Sequence, residues 1–163
     1  MDAEKRGRGK VMIIRRLLTN DVIKYRETLY KFMQMDFVQT YGKKADPAFV
    51  ESKLSGLESY LDKGAAFTLG AFQDERMIGF LWGYTLDTPF EKVFHIAYIA
   101  VDENCRKMGI GKALINEVEK FVRDCDDINS IELIVGKRNE NAVRFYEAIG
   151  FEPDRFIYRK FVC

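Results

Sequence analysis

Val93-Phe94-His95-Ile96-Ala97-Tyr98-Ile99-Ala100-Val101, followed at once by Asp102-Glu103-Asn104-Cys105-Arg106-Lys107-Met108-Gly109-Ile110-Gly111-Lys112, is the stretch that decides how this chain folds. Its first nine residues are rich in β-branched and aromatic side chains and read as a strand. From Ile110 the apolar positions Leu114, Val118, Phe121 and Val122 recur at helical spacing. Between the two lies a polar turn with Gly109 and Gly111. Glycines at i and i+2 permit positive φ and close approach of a ligand, while free N–H groups and the positive end of the helix dipole face an anion. Arg106, Lys107 and Lys112 add mobile positive charge. The turn is therefore a phosphate cradle or ordinary turn chemistry, and spacing alone leaves both open. Two nucleotide motifs are excluded. A P-loop needs glycine where Arg106 stands and a hydroxyl where Ala113 stands, and a dinucleotide fingerprint needs glycine where Leu114 stands.

Upstream, Ala65 to Gln73 and Met77 to Leu86 alternate like strands about a polar turn at Asp74-Glu75, and a loop with Thr88-Pro89 leads into the Val93 strand. Three consecutive strands suggest an antiparallel meander. Before them, Val11 to Arg16 reads as a short strand. Thr19-Asn20-Asp21 then supplies capping residues for one helix bearing Val22, Tyr25, Leu29, Phe32, Met33 and Phe37. A second helix has Asp46 as N-cap, Pro47 in its first turn, Val50, Leu54, Leu57 and Leu61 inside, and Gly64 as its stop. Downstream come a short strand, Ile131 to Val135, and a last helix carrying Ala142, Val143, Tyr146 and Ile149 and ended by Gly150. Arg155 to Val162 reads as a closing strand.

The chain has 163 residues, 47% of them apolar and 13 of them Phe, enough for one domain that buries about 70% of its unfolded surface. We expect a flexible arm over residues 1–10 and a single domain over 11–163. With 26 Lys and Arg against 25 Asp and Glu, the net charge is +1, which gives no overall case for nucleic acid or an anionic membrane. The basic arm is the one local place for RNA contact, and a solvated tail explains it equally. The apolar run Phe94 to Val101 is too short to span a bilayer, and the charged start lacks the apolar middle of a secretory signal. Cys105, Cys125 and Cys163 are odd in number and widely spaced, which suits three free thiols in a cytoplasmic protein and neither a disulfide framework nor a metal site.

Two motifs in register now resemble the GNAT superfamily of acyl-CoA-dependent N-acetyltransferases. Arg106, Gly109 and Gly111, directly after Ile99-Ala100-Val101, match that family's Arg/Gln-x-x-Gly-x-Gly/Ala loop. Asn139, Ala142, Phe145, Tyr146, Gly150 and Phe151 match its second motif. The likeness covers Ala65 to Val162 well, and the first two helices only in placement. It implies an α/β (α+β) fold with a mixed, mostly antiparallel central sheet flanked by helices. It also implies an N-acetyltransferase that moves an acetyl group from acetyl-CoA to a primary amine by direct attack in a ternary complex.

Such a transfer needs a thioester held beside an amine, a donor for the developing oxyanion and a proton for the departing thiolate. By resemblance, the backbone of Ile99 through Val101, Ala100 included, pairs with the pantetheine arm, with the Ile99 N–H near the thioester oxygen. Arg106, Lys107, Met108, Gly109, Ile110, Gly111 and Lys112 then hold the pyrophosphate. Asn139 is a helix N-cap on its sequence position and a cofactor contact in the family. Tyr146 is a core aromatic by periodicity and stands at the family's general-acid position. A phenol of pKa about 10 protonates a thiolate whose conjugate acid is near 8.5 only with local help or in a concerted transfer.

An amine of pKa about 10.4 must also lose a proton at a cost of about 4 kcal/mol at neutral pH. His95, the only histidine, stands where family members with a catalytic Glu on this strand carry it, and strict alternation puts it on one face with Ala97, Ile99 and Val101. A hydrogen-bonded core histidine with a water chain as base is the competing account, and Tyr98 and Glu103 are weaker candidates. Substrate recognition is expected of the first two helices, the segment Met35 to Ala45 between them, and the Leu86 to Lys92 loop. The acidic residues there, Asp36, Asp46, Asp87 and Glu91, either attract a cationic amine or are simply solvated. The acceptor is left open among small amines, peptide α-amines and protein lysines. Family members often dimerise, and Phe156-Ile157-Tyr158 suits a homodimer interface or an intramolecular strand. The reading from another functional class is a catalytically inactive acyl-CoA-binding regulatory or interaction module.

Overall fold

A computed structural model describes residues 11–162, so the arm over residues 1–10 and the thiol of Cys163 lie outside the described residues. In chain order the elements are β1 (Met12–Arg16), α1 (Thr19–Lys24), α2 (Arg26–Tyr41), α3 (Pro47–Asp62), β2 (Phe67–Gln73), β3 (Arg76–Asp87), β4 (Lys92–Val101), a 3-10 turn (Glu103–Cys105), α4 (Ile110–Arg123), β5 (Ile128–Leu133) and α5 (Glu140–Ala148). The sheet order follows the chain, β1-β2-β3-β4-β5. The first three pairings are antiparallel and β4–β5 is parallel, α4 making the crossover that a parallel pair requires. The meander and the mixed, mostly antiparallel sheet expected from the sequence are therefore present.

Each face of the sheet is closed by its own apolar cluster. On one side Val22 of α1, Leu29 and Phe32 of α2 and Val50, Leu54 and Leu57 of α3 pack on Phe80, Trp82 and Ala100. On the other, Ile110, Leu114, Ile115 and Val118 of α4 pack on Ile78, Leu81, Phe94 and Ile96. The α3 signals act as read: Asp46 accepts a hydrogen bond from the Ala48 N–H at 2.8 Å, and Pro47 opens the helix. Gly64 takes φ +67°, a value natural to glycine just past a helix end.

Four expectations need correction. The helix after Thr19 is two helices, broken at Tyr25, where φ and ψ are −102° and 17°. The Tyr25 ring lies 5.3 Å from Phe72 and its hydroxyl donates to the Glu75 carbonyl at 3.4 Å, so this residue is tied to the sheet. The N-cap is Leu18, and Asp21 closes the first turn from inside by accepting from the Leu18 N–H at 3.0 Å. The short strand after α4 runs Ile128–Leu133, earlier than read. Arg155 to Val162 forms no strand: Phe156, Ile157 and Tyr158 are 79%, 77% and 92% exposed. Three consecutive apolar residues cannot share one face of a pleated strand, so the alternation that would dock this tail is broken at its centre.

Candidate active site

The sheet opens where β4 outruns β5. Their last paired residues are Ile96 and Leu133, so residues 97–101 of β4 have no strand on the β5 side. A bulge marks the same point: Trp82 faces Tyr98 and Gly83 faces Ile96, leaving Ala97 as an extra residue. Ala97 and Tyr98 both pack with the α1–α3 cluster, whereas Ile99 and Val101 pack with the α4 cluster. His95, between Phe94 and Ile96 on the α4 side, points the other way. The strict alternation expected from the sequence fails here, and His95 shares a face with Ala97 and not with Ile99 or Val101.

From the free edge of β4 the backbone runs into the glycine turn. Lys107 and Gly109 take φ of +63° and +78°, and Gly109 is the N-cap of α4 with no side chain capping the helix. The first helical hydrogen bond runs from the Ala113 N–H to the Gly109 carbonyl at 2.9 Å. The N–H groups of Ile110, Gly111 and Lys112 therefore have no helical partner, and left-handed residues beside them make a concave nest of donors suited to an anion. Arg106, Lys107, Met108 and Lys112 are exposed around it. The Arg106 guanidinium donates to the Met35 sulfur at 3.2 Å and stands 3.7 Å from Glu103. Gly111, whose N–H belongs to this nest, also has a packing role. A Cβ there would meet the Phe145 ring at 3.2 Å, so this glycine seats α5 against α4. Ala100 and Ile110 have buried side chains and offer the site only backbone.

Between the diverging ends of β4 and β5 lies a cavity of ≈ 300 Å³, bounded by Asp36, Tyr41, His95, Tyr98 and Tyr146, among others. It joins α2, β4 and α5. The His95 Nδ1 lies 2.9 Å from Glu132 Oε1, and the other carboxylate oxygen accepts from Arg155 Nη2 at 2.6 Å. An Nδ1–H donated to Glu132 leaves the Nε2 lone pair as the free nitrogen of the ring. Burial, and then the negative charge of Asp36, push the Tyr146 phenol well above the usual tyrosine range, and the same causes push Tyr98 up to about 12. Burial pushes the Asp36 carboxyl up to about 6. The phenols thus hold their protons at neutral pH.

Of the residues singled out in the sequence, His95, Tyr98, Ile99 and Tyr146 meet at this cavity. Glu103 does not: it lines a separate hollow with Lys31, Phe32 and Met35. The Asn139 side chain accepts from the Ala142 N–H at 3.3 Å, which makes it the N-cap of α5. The segment from Met35 to Ala45, expected to be a loop, is helical as far as Tyr41, which makes Asp36 a cavity wall. A carboxylate in step with Phe32, Met33 and Phe37 on one helical face was the signal for it. Glu132 and Arg155 had no signal, because only strand pairing sets Glu132 beside His95. Among the described residues, no group of His, Cys, Asp and Glu is arranged to hold a metal ion, and no helix is long and apolar enough to cross a membrane.

The model of the acetyltransferase (GNAT) family matches residues 26–151. Human N-acetyltransferase 8 is 31% identical over 98 residues, which are 58% of this chain and 42% of that protein, so the chain spans less than half the length of this relative. The naa20 catalytic subunit of the N-terminal acetyltransferase B complex of Schizosaccharomyces pombe is 24% identical over 81% of this chain and 72% of its own length. The fold is that of an aminoglycoside acetyltransferase from an uncultured soil metagenomic sample, solved with sisomicin, at a TM-score of 0.71 and 20% identity over 93% of this chain and 96% of that one. With the open sheet and the uncapped α4 already in place, the family match leads to one conclusion: the chain belongs to the acetyltransferase (GNAT) family.

Proposed function

We propose that the protein transfers an acetyl group from acetyl-CoA to a primary amine by direct attack within a ternary complex. The observation that carries this reading is the continuity of three features: the unpaired edge of residues 97–101, the donor nest that opens α4, and a cavity holding both a histidine and a tyrosine. The free edge suits an extended pantetheine arm, and the nest with Arg106, Lys107 and Lys112 suits a diphosphate. Bound there, acetyl-CoA supplies an activated thioester. The Ile99 N–H is the backbone donor assigned to the thioester oxygen. The Nε2 of His95, held in orientation by Glu132, takes the proton that the amine gives up. Tyr146, protonated at neutral pH, gives a proton to the departing sulfur as the C–S bond breaks. Asn139 orders α5 and so positions Tyr146.

The acceptor is an amine on a small molecule or a peptide, the classes that the sisomicin-bound structure and the naa20 subunit represent. The test is thiol release from acetyl-CoA across a broad amine panel, read alongside the melting shift that acetyl-CoA induces. Release with at least one amine is expected. A melting shift without any release would favour the non-catalytic binding module, and no shift would remove the cofactor assignment.

A further inference from the structure

Among the described residues a single carboxylate, that of Asp36, lines the cavity. Among the described residues no hydrogen bond or ion pair meets the Asp36 carboxylate, and burial alone accounts for its perturbed titration. A half-buried carboxylate without a counter-charge is costly to keep, and ordinary carboxylates of this chain avoid that cost: Asp21 is held by Arg15, and Glu51 and Glu58 by Arg26. Among the described residues Lys53, from α3, is the only Lys or Arg lining the cavity, and its ammonium stands 5.2 Å from the centre of the Phe49 ring. The walls around Asp36 are aromatic. Phe37 lies 6.0 Å from Tyr41, and 6.2 Å from Tyr98 in an edge contact. Ring faces and a carboxylate together attract a compact cation, the rings by their quadrupole and the carboxylate by charge.

Resting on the acetyl-transfer reading, we propose that Asp36 is the acceptor-binding carboxylate: it docks the incoming amine as an ammonium ion against Phe37, Tyr41 and Tyr98, and so selects acceptors that are cationic at neutral pH. The charge balance of the reaction then works in favour of turnover. The ammonium loses one proton to His95 Nε2, which passes it to solvent; the nitrogen forms the new bond to the acetyl carbon as the C–S bond breaks, the sulfur takes the Tyr146 proton, and the second proton leaving the nitrogen restores the Tyr146 phenol. The product amide is neutral and has no ion pair with Asp36, so the group that holds the substrate does not hold the product. Docking a cation also offsets one of the two causes that raise Tyr146, which brings the acidity of its phenol closer to that of the thiol formed when it protonates the departing thiolate. The groups facing Asp36 across the cavity are His95, Tyr98, Tyr146, Tyr41 and Lys53.

The test compares wild type, Asp36→Asn and Asp36→Glu, using as acceptors the best alkylamine of the panel and hydroxylamine, which is uncharged at pH 7.5. Asp36→Asn is expected to lower kcat/KM for the alkylamine about 30-fold and for hydroxylamine less than about 3-fold, the gap reflecting a lost charge-assisted contact. Asp36→Glu should recover part of the alkylamine rate, and all three proteins should show the same acetyl-CoA melting shift. Equal losses on both acceptors, or none, in a wild type that transfers acetyl would overturn the role of Asp36 and leave the transfer reading standing. A wild type that binds acetyl-CoA and releases thiol with no acceptor would overturn both.

Discussion

The two halves of the site are built from different materials. The donor half is backbone: a free strand edge, two left-handed residues and the uncapped start of α4, contiguous from residue 97 to residue 112. The acceptor half is side chain, drawn from α2, β4, β5 and α5 and spread from Asp36 to Tyr146. A backbone site is fixed by local conformation and tolerates variation in most of its side chains. A side-chain site depends on register and packing across the sheet and can be retuned one residue at a time. In the function proposed above, one cleft holds the donor by backbone and the acceptor by side chains.

The contrast can be broken most directly at Tyr146. Tyr146→Phe removes only an oxygen from the acceptor half, and kcat is expected to fall about 100-fold while acetyl-CoA affinity holds. An unchanged kcat in single-turnover assays would remove Tyr146 from the acid role. The complementary lesion is Gly109→Val, which puts a branched side chain where φ is +78° and should weaken acetyl-CoA binding by calorimetry about 30-fold, since the left-handed conformation alone costs about 1–2 kcal/mol. Nothing lies within 4 Å of a Cβ at this position, so the fold should survive the substitution, and retained tight binding would contradict the nest.

A finer division is drawn by Glu132, a positioning residue that acts through His95. Glu132→Gln should lower kcat about 10-fold and add little to the loss in His95→Ala, the non-additivity expected of residues that work as a unit. Additive losses would place Glu132 in structure alone. The smallest effect is one of stability. The Asp36 carboxyl sits at about 6 in the fold against an ordinary 3.8, so its ionisation penalises the folded state fully above pH 6 and the penalty disappears as pH falls toward 4. Asp36→Asn should therefore stabilise the protein by about 1 kcal/mol at pH 7.5, after screening is allowed for, and by nothing near pH 4, as read by urea denaturation. A gain independent of pH would show that the carboxylate is not buried in solution.

What the sequence made legible follows the same division. Gly109, the apolar period from Ile110 to Val122 and the second motif through Tyr146 are local patterns, and each stands where it was read. The acceptor side was opaque for physical reasons. Asp36 lies in a polar stretch that reads as a loop, whereas α2 continues to Gly42, its left-handed end, six residues later. The face of His95 was misread because one bulged residue inverts the alternation, and no composition rule marks Ala97 as the extra residue. The break at Tyr25 depends on a contact with Phe72, far along the chain. Gly111 looked like a ligand-approach glycine, and only the Phe145 ring reveals its packing function.

The bulge at Ala97 also has a bearing on how the chain tolerates change in length. Ile96 and Ile99 lie under α4 with Ala97 and Tyr98 between them on the opposite side, so β4 holds one residue more than its two hydrophobic clusters need. Excising that codon would leave every core residue correctly faced and straighten the strand. The shortened β4 would then be free to zip against β5 and seal the cleft. Scans that only exchange one amino acid for another never sample this lesion, and a deletion scan meets it in a single step.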